Sequence, residues 1–231
     1  MWSNMDLRYE RVLHRIAALI GGFAGAYTVL IRLNLGSSQT MNLLEMLTGL
    51  LGKDYLQAAL HFIGMLLYAG AVFTAVYLSK KGRIDMKLFS MAVNAAGFIV
   101  LGLLPADINR CVGLYPTFVM MSIQWVVFGS IGGYASSPIF STNNLRQTVG
   151  ALAEYVCDHK KEHLDKAKYF AGTLLFFHLG AAGGFFACKA LGIKAAFLGI
   201  IPCAALAAAV LVSEYAKSTN DLPIEANEMD I

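Results

Sequence analysis

The segments Thr40-Met41-Asn42-Leu43 and Thr142-Asn143-Asn144-Leu145 carry the same short signature, and each opens an apolar stretch of helical length. The residues around the two copies also match. Gly25-Ala26-Tyr27 and Gly132-Gly133-Tyr134 precede them, and residues 62–67 and 170–175 follow them. Three matches in the same order predict an internal duplication, with roughly a hundred residues in each half. In a strongly apolar chain, such a duplication is typical of transporters and channel-like membrane proteins.

The composition predicts a polytopic membrane protein. Hydrophobic residues make up 57% of the 231 residues and charged residues only 14%, whereas soluble domains carry about 25% charged residues. Several stretches lack charge completely, and most can cross a hydrocarbon core about 30 Å thick. They are 16–31, 62–79, 88–105, 111–145, 169–187 and 195–212. The rival interpretation, a soluble helical bundle, would require a polar face on each helix.

We predict an all-α polytopic fold in a single membrane domain, residues 1–231, with six full spans and two shorter helices. The spans are Val12–Leu33, Leu56–Ser79, Leu88–Leu104, Pro116–Tyr134, Lys168–Lys189 and Ala195–Ser213. The shorter helices, about Thr40–Leu51 and Thr142–Val156, suit re-entrant or interfacial segments because they are too short to cross a bilayer comfortably. Each repeat, about 12–104 and about 116–213, then contains one span, one short helix and two further spans. A polar tail, about 214–231, is predicted to be disordered.

Basic residues predict the orientation, because cytoplasmic loops of membrane proteins are rich in lysine and arginine. They precede the first span, follow the second and precede the fifth: Arg8, Arg11, Arg15, Lys80, Lys81, Arg83, Lys87, Lys160, Lys161, Lys166 and Lys168. Both termini are therefore expected in the cytoplasm. Three spans per half is an odd number, so the halves form two inverted repeats about an axis in the membrane plane. If the short helices crossed fully, eight spans and a parallel repeat would result, and this alternative stays open.

Each signature follows a chain break, Gly36-Ser37-Ser38 in the first half and Ser136-Ser137-Pro138 in the second. Such residues interrupt a span and open a helix, with Ser38 or Thr40 as the candidate N-cap in the first half and Ser141 or Thr142 in the second. Free backbone groups in a bilayer are tolerated only inside protein or beside water, so these helix starts should face the interior. Two helix N-termini that meet near the midplane would present N–H donors to an anion or a small carboxylate.

The candidate substrate-binding residues belong to the signatures or stand near them in the repeats or spans. They are Thr40, Asn42, Thr142, Asn144, Tyr27, Tyr134, Gln124 and His178. Each has a structural alternative. The signature residues can cap and brace broken helices, the tyrosines can pack, and Gln124 can hold helices together. His178, near the middle of the fifth span, either bonds to a neighbouring helix or couples transport to protons.

Charged residues within the apolar stretches mark further candidates, because such groups are costly in a membrane. Glu45 and Arg146 lie in the two short helices. They either form an ion pair across the pseudo-twofold axis or remain solvated at the interface. Arg32, near the end of the first span, is expected to extend its charged end to the membrane surface.

Catalytic motifs for zinc hydrolysis, serine hydrolysis or phosphate binding are not found in the sequence. No cofactor and no metal site are predicted, and an enzymatic role has no support. The expected partners are the lipid bilayer and a small-molecule solute. The net charge of +3 is too small to suggest nucleic acid, and homo-oligomerisation is left open.

The residues resemble one known family over about Ile16 to Leu211. The matching segments are 21–28 (GGFAGAYT), 39–43 (QTMNL), Gln124 and 142–146 (TNNLR). They resemble the YoaK-like family of bacterial inner-membrane proteins. The chain departs from that family at Met41 and Asn143, where glycine is usual, and at Gly25, where an acidic residue is frequent. The resemblance implies a polytopic protein of the bacterial inner membrane.

Three functions are compatible with these patterns. The first is a transporter or channel-like protein for a small, anionic solute, with its site between the inverted repeats. The second is a non-transporting membrane sensor or assembly protein, and the third is an intramembrane enzyme. A polar central cavity would favour the first, a sealed apolar core the second, and a lateral opening beside Glu45 or His178 the third.

Overall fold

The computed structural model describes residues 4–131 and 133–220, and the predicted all-α class is confirmed. The α-helices are α1 (Asn4–Arg32), α2 (Gln39–Leu51), α3 (Tyr55–Lys81), α4 (Met86–Leu103), α5 (Tyr115–Phe128), α6 (Thr142–Asp158), α7 (Lys161–Leu191) and α8 (Ile200–Asn220). Two 3-10 helices, Val112–Leu114 and Gly192–Gly199, precede α5 and α8. A small antiparallel hairpin, β1 (Ser130–Ile131) with β2 (Tyr134–Ala135), follows α5.

Four helical stretches among the described residues are long and apolar enough, by length and composition, to cross a membrane. They are Arg8–Arg32, Tyr55–Lys81, Met86–Leu103 and Lys161–Glu214. The last contains both α7 and α8, between which Gly192 turns the chain at a φ of 57°. A shorter apolar helix, Val112–Phe128, covers most of the remaining predicted span. The predicted spans therefore each have a helical counterpart, and several of these can span a membrane.

Two predicted spans differ from the structure at their ends. The fourth, Pro116–Tyr134, stops as a helix at Phe128, because the glycine-rich segment after it forms the hairpin and Gly133 has a φ of 85°. The sixth, Ala195–Ser213, begins as a 3-10 helix and becomes α8 only at Ile200. Pro202 lies in the first turn of α8, where a missing N–H costs no hydrogen bond. Residues 221–231 of the predicted tail lie outside the described residues, and α8 continues to Asn220.

Side-chain caps fix several helix starts. Ser38 Oγ accepts from Met41 N at 3.4 Å, Asp54 Oδ1 from Gln57 N at 3.2 Å, and Asp85 Oδ1 from Leu88 N at 2.8 Å. Each of these bonds satisfies one of the free N–H groups at a helix N-terminus. Gly82 ends α3 with a φ of 63°, a left-handed conformation that glycine adopts without steric cost.

Helix α1 is the central helix of the bundle, since 61% of its apolar window is buried, against 22% to 33% for the other three stretches. It runs parallel to α7, since His14 stacks on Tyr169 near the start of both helices and Gly184 packs on Phe23 further along, and the two backbones are in close contact. A Cβ on Gly22 would lie 1.8 Å from Phe177 O, and one on Gly180 would lie 2.0 Å from Leu19 O. Small residues at such positions let membrane helices approach closely.

The remaining helices pack around the α1–α7 pair, and their contacts give the directions of α3 and α5. Helix α5 is antiparallel to α1, because Gln124 Nε2 donates to Ala17 O at 2.9 Å while Gly113 lies beside Arg32. It is parallel to α3, where Tyr115 Oη donates to Leu60 O at 2.8 Å. Helix α4 lies between α5 and α8, and α2 and α6 lie along α3 and α7 respectively.

The outer surface of the bundle is apolar. Exposed large hydrophobic side chains occur on α3, α7 and α8 and also on both short helices. Examples are Leu44, Leu47, Leu66, Phe73, Val149, Leu152, Leu175, Phe186, Ile201 and Val212. A surface of this kind fits contact with lipid rather than with water.

Candidate functional site

The first signature folds back into the bundle. After α1 ends at Arg32, Gly36 packs against Thr28 and Thr117, one turn inside the end of α1. Ser38 then starts α2, which returns antiparallel to α3, with Gly49 beside Ala58. The segment therefore enters the bundle as a loop and leaves it as a helix.

The second signature reaches the bundle from a loop that packs on α1. Gly21 lies near the middle of the candidate span Arg8–Arg32, and a Cβ added there would lie 2.2 Å from Pro138 O. Ser136 Oγ forms a hydrogen bond of 2.9 Å with His14 Nε2. Helix α6 then returns along α7, and its N-cap residue Ser141 makes no side-chain capping bond. The N–H groups in the first turn of α6 therefore lack a cap from Ser141.

Asn42 joins α2 to α3. Its side chain is 2% exposed. Its Nδ2 donates to His61 O at 3.0 Å and to Gln39 Oε1 at 3.1 Å, and its Oδ1 lies 2.9 Å from His61 Nδ1. These contacts leave Asn42 little capacity for a ligand, so it braces the start of α2.

Asn144 plays the equivalent part in the second half and is fully buried. Its Nδ2 donates to Ser137 O at 2.7 Å and to Phe140 O at 3.0 Å. Its Oδ1 accepts from Ser136 Oγ at 3.1 Å and from Ser137 N at 3.3 Å. All four bonds close the loop before α6, so Asn144 holds that loop against the helix.

Both signature segments line one cavity of about 580 Å³, which we call the signature cavity. From the first half it is lined by Ser38, Gln39, Thr40 and Tyr68, and from the second half by Trp125, Gly129, Ala135, Ser136, Ser137, Phe140, Thr142, Asn143 and Arg146. Tyr68 is the central residue of α3 (Tyr55–Lys81). The cavity therefore lies level with the middle of α3.

The lining of the signature cavity is rich in hydrogen-bond donors. Gln39 Nε2 is buried and has no hydrogen-bond partner among the described residues. Arg146 is exposed, and its Nη2 makes only a long contact of 3.4 Å with Asn143 Oδ1. The described lining residues include one arginine and no carboxylate. This arrangement suits a negatively charged or strongly accepting solute.

The predicted site residues divide into three groups. Thr40 and Thr142 line the signature cavity, whereas Asn42 and Asn144 are buried behind it. The other four lie elsewhere, and none of them lines this cavity: Tyr27, Tyr134, Gln124 and His178.

Three of these residues make the contacts of their structural alternatives, whereas His178 bonds within its own helix and not to a neighbouring one. Tyr27 is fully buried, with Oη directed at Leu101 O (3.1 Å) and Ile193 O (3.3 Å). Gln124 accepts from Asn94 Nδ2 at 2.6 Å and holds α4 and α5 to α1. Tyr134 packs against aromatic rings of α7, and His178 is exposed on α7 with Nδ1 2.8 Å from Leu174 O.

Glu45 and Arg146 do not form the anticipated ion pair. Glu45 Oε2 instead accepts from Asn34 Nδ2 at 2.6 Å and lies 3.5 Å from His61 Nε2. Glu45 lines a different cavity from Arg146. The reason is geometric, because the first turns of α2 and α6 face the signature cavity whereas Glu45 lies on the second turn of α2.

The second cavity, of about 920 Å³, lies at the end of α1 that carries Arg32, and we call it the Arg32 cavity. Arg32 is 1% exposed, so the expectation that its charge reaches the membrane surface is wrong. The side chain turns inward because the segment 105–114 covers the end of α1 and Gly113 packs on its guanidinium group.

Cys111 lines the Arg32 cavity beside His61, with Sγ 3.4 Å from His61 Nδ1. Burial raises the pKa of the Cys111 thiol to about 11, and the negative charge of Glu45 acts in the same direction. The thiol therefore stays protonated at neutral pH and is a poor nucleophile. Among residues 4–131 and 133–220, no group of three or more His, Cys, Asp or Glu side chains is placed to hold a metal ion.

Sequence reasoning missed several lining residues. Gln39 stands next to the signature, and Ser136 and Ser137 belong to the chain break, so their proximity to the signatures was a usable signal. Tyr68 and Trp125 carry no such signal, because their position at the cavity depends on how α3 and α5 pack. The sequence predicted that the charged end of Arg32 extends to the membrane surface, as is common at the end of a span. Its burial depends on segment 105–114, which folds over the end of α1.

The fold and the two cavities define an all-helical protein with several apolar helices of membrane-spanning length and a cavity lined by both signature segments. Residues 13–212 match the family described as "protein of unknown function (DUF1275)", and the chain belongs to this family. The match covers nearly the same residues as the resemblance to the YoaK-like family and is consistent with it. No curated protein and no solved structure was found to match the chain.

Proposed function

We propose that this protein conducts a small anionic solute across a membrane through the signature cavity. The observation that carries the proposal is that both signature segments line this one cavity. Its volume of about 580 Å³ is in the range of small-molecule sites. The solute would contact Thr40, Thr142, Gln39 and Arg146, while Asn42 and Asn144 position the two segments.

The preference for an anion follows from the groups around the cavity. The first turns of α2 and α6 begin at its wall, and a helix N-terminus carries a partial positive charge and free N–H groups. Arg146 adds a full positive charge, and Gln39 Nε2 adds a donor without a partner. A cation would meet no compensating carboxylate among the described lining residues.

Helix packing supports an inverted repeat in which α1, α2, α3 and α4 correspond to α5, α6, α7 and α8. The parallel pair α1–α7 corresponds to the parallel pair α5–α3, and α2 on α3 corresponds to α6 on α7. The equivalent helices α1 and α5 run antiparallel. Antiparallel mates fit a twofold axis in the membrane plane, which is the arrangement used for alternating access in many carriers.

The charged segments support an orientation with both termini in the cytoplasm of a bacterial cell, in the inner membrane. Lys87 at the start of α4 pairs with Glu10 of α1, and Tyr9 Oη donates to Ala209 O of α8. Arg11 lies 6.0 Å from the centre of the Tyr169 ring on α7. The basic segments before α1, α4 and α7 therefore lie at one end of the bundle, as the positive-inside rule expects of the cytoplasmic end.

The signature cavity and the position of His178 favour a transport role over the two rival functions. A sensor or assembly protein has no need for a cavity beside the middle of α3 that carries an arginine and an unpartnered amide donor. An enzyme acting on lipid from the membrane beside His178 is disfavoured because His178 lines neither cavity and bonds only along its own helix.

Thr142→Trp is expected to slow anion flux at least tenfold, because the indole would fill the cavity at the start of α6. Liposomes containing the purified protein would be loaded with chloride, nitrate or acetate, and efflux would be followed with ion-selective electrodes or radiolabel. The matched control is Leu145→Trp, since Leu145 is 52% exposed on the same helix and does not line the cavity.

The wild type and Leu145→Trp should release at least one of these anions faster than empty liposomes do. Equal loss in both variants would assign the effect to general damage and contradict a role for the cavity. Efflux no faster than from empty liposomes for all three anions would contradict the proposed function.

A further inference from the structure

Arg32 is a buried cation with an unused hydrogen-bonding edge. Its side chain is 1% exposed, and Nη1 donates to Pro105 O at 3.1 Å and lies 3.5 Å from Ala106 O. Nε and Nη2 are buried without a hydrogen-bond partner among the described residues. The Tyr27 hydroxyl lies close enough to the guanidinium to interact with it as a hydrogen-bond acceptor, while its own proton is directed to Leu101 O. Arginine remains charged at all physiological pH values, so the free-energy cost of burying its charge cannot be relieved by loss of a proton.

The charge has no counter-ion within the part of the chain that the structure describes. Arg32 forms no ion pair within 4.0 Å with either carboxylate that lines the same cavity: Glu45 is occupied by Asn34 and His61, and Asp107 is not paired with Arg32. A buried charge without a partner is strongly unfavourable. The Arg32 cavity, of about 920 Å³, is large enough to admit a ligand that would supply one.

We propose that the Arg32 cavity binds the carboxylate group of a small solute. Nε and Nη2 form one edge of the planar guanidinium, and their two parallel N–H groups match the two oxygens of a carboxylate. Gly113 packs directly against the Nε side of the guanidinium, since a Cβ there would lie 2.8 Å from Nε, so the ligand would approach from the cavity and not from the side of Gly113. The carboxylate belongs either to a simple monocarboxylate or to a zwitterion whose ammonium group would face Glu45. This site is separate from the signature cavity and goes beyond the proposed conduction.

The test is equilibrium dialysis of the purified full chain in detergent against radiolabelled acetate and, separately, radiolabelled glycine. We expect saturable binding of at least one probe, and at least tenfold weaker binding by Arg32→Lys, because an ammonium group cannot replace a bidentate edge. The control is Lys189→Gln, which removes an exposed positive charge and should bind as the wild type does. Binding of acetate alone would identify a monocarboxylate site, and binding of glycine, alone or more tightly, would identify a zwitterion site.

A second variant keeps the test decisive if Arg32→Lys does not fold. Gly113→Ala retains the arginine but places a methyl group 2.8 Å from Cδ and Nε, which displaces the guanidinium. It should also bind at least tenfold more weakly. No saturable binding of either probe by the wild type, or unchanged binding by a folded Arg32→Lys or Gly113→Ala protein, would overturn the proposal. Thr142→Trp should bind both probes normally, so a failure of conduction and a failure of this site are distinguishable.

Discussion

Gly180→Ala is expected to destabilise the fold by about 3 kcal/mol or more, the upper part of the range for overpacked cores. The added Cβ would lie 2.0 Å from Leu19 O and 2.9 Å from Leu19 Cα. These are backbone atoms, so no side-chain rotation can relieve the clash, and α1 must move away from α7. Because α1 is the most buried of the candidate spans, this movement disturbs the centre of the bundle.

The matched control is Gly183→Ala on the same helix. A Cβ on Gly183 meets no atom within 4 Å, and alanine is favoured over glycine in a helix by up to about 1 kcal/mol. Thermal unfolding in detergent, followed by the loss of the monodisperse peak in size-exclusion chromatography, compares the two. A Gly180→Ala protein that melts with the wild type would show that α1 and α7 do not pack as described.

Asn144→Ala is expected to cost about 3 kcal/mol, because it removes a side chain that makes four buried hydrogen bonds and leaves several groups unpaired. The carbonyls of Ser137 and Phe140 would lose their donor, and Ser137 N would lose its acceptor. The loop before α6 would loosen. The melting temperature should fall by roughly 6 to 12 °C on the scale of proteins of this size.

Asn143→Ala is the control, since it changes the adjacent asparagine. Asn143 makes only long contacts, 3.4 Å to Ala135 O and 3.4 Å from Arg146 Nη2. Its loss should alter stability by less than about 0.5 kcal/mol, as for other partly exposed positions. Equal destabilisation by the two variants would contradict the bracing role assigned to Asn144.

The sequence was most informative at the repeated signature. This signature located α2 and α6 within one or two residues, because serine, glycine and proline mark the breaks and apolar residues fill the following turns. Predicted length was the basis for separating these short helices from the spans, although α5, with 14 residues, is shorter than α6, with 17. Thr40 and Thr142 were both predicted as site residues from the signature, and both line one cavity.

Other features depended on packing that no local pattern encodes. Tyr27 and Tyr134 occupy equivalent positions around the two signatures, yet their surroundings differ. Tyr27 is buried between α4 and the second 3-10 helix, whereas Tyr134 packs on α7. Arg32 has the sequence context of a residue at a membrane surface, but segment 105–114 folds over it. Such burial arises from a loop more than 70 residues away along the chain, so a sequence pattern around Arg32 could not reveal it.

The central claim is that the two signature segments face one cavity, and a cross-linking measurement tests it most directly. The parent would carry Cys157→Ser, because Cys157 is exposed, and would keep the buried Cys111, Cys188 and Cys203. Thr40→Cys and Thr142→Cys would be combined, with a protease site inserted at Gly82, between α3 and α4, so that cleavage gives two fragments that each carry one of the new cysteines. A bifunctional thiol reagent short enough to span the cavity would then be added to membranes before cleavage.

We expect the two fragments to stay joined after cleavage in the Thr40→Cys, Thr142→Cys protein. They should separate in the parent and in a control with Thr40→Cys and Leu145→Cys, because Leu145 does not line the cavity. Separation of the fragments in the Thr40→Cys, Thr142→Cys protein, although each position reacts singly with a thiol reagent, would contradict a shared cavity and with it the proposed path for the solute.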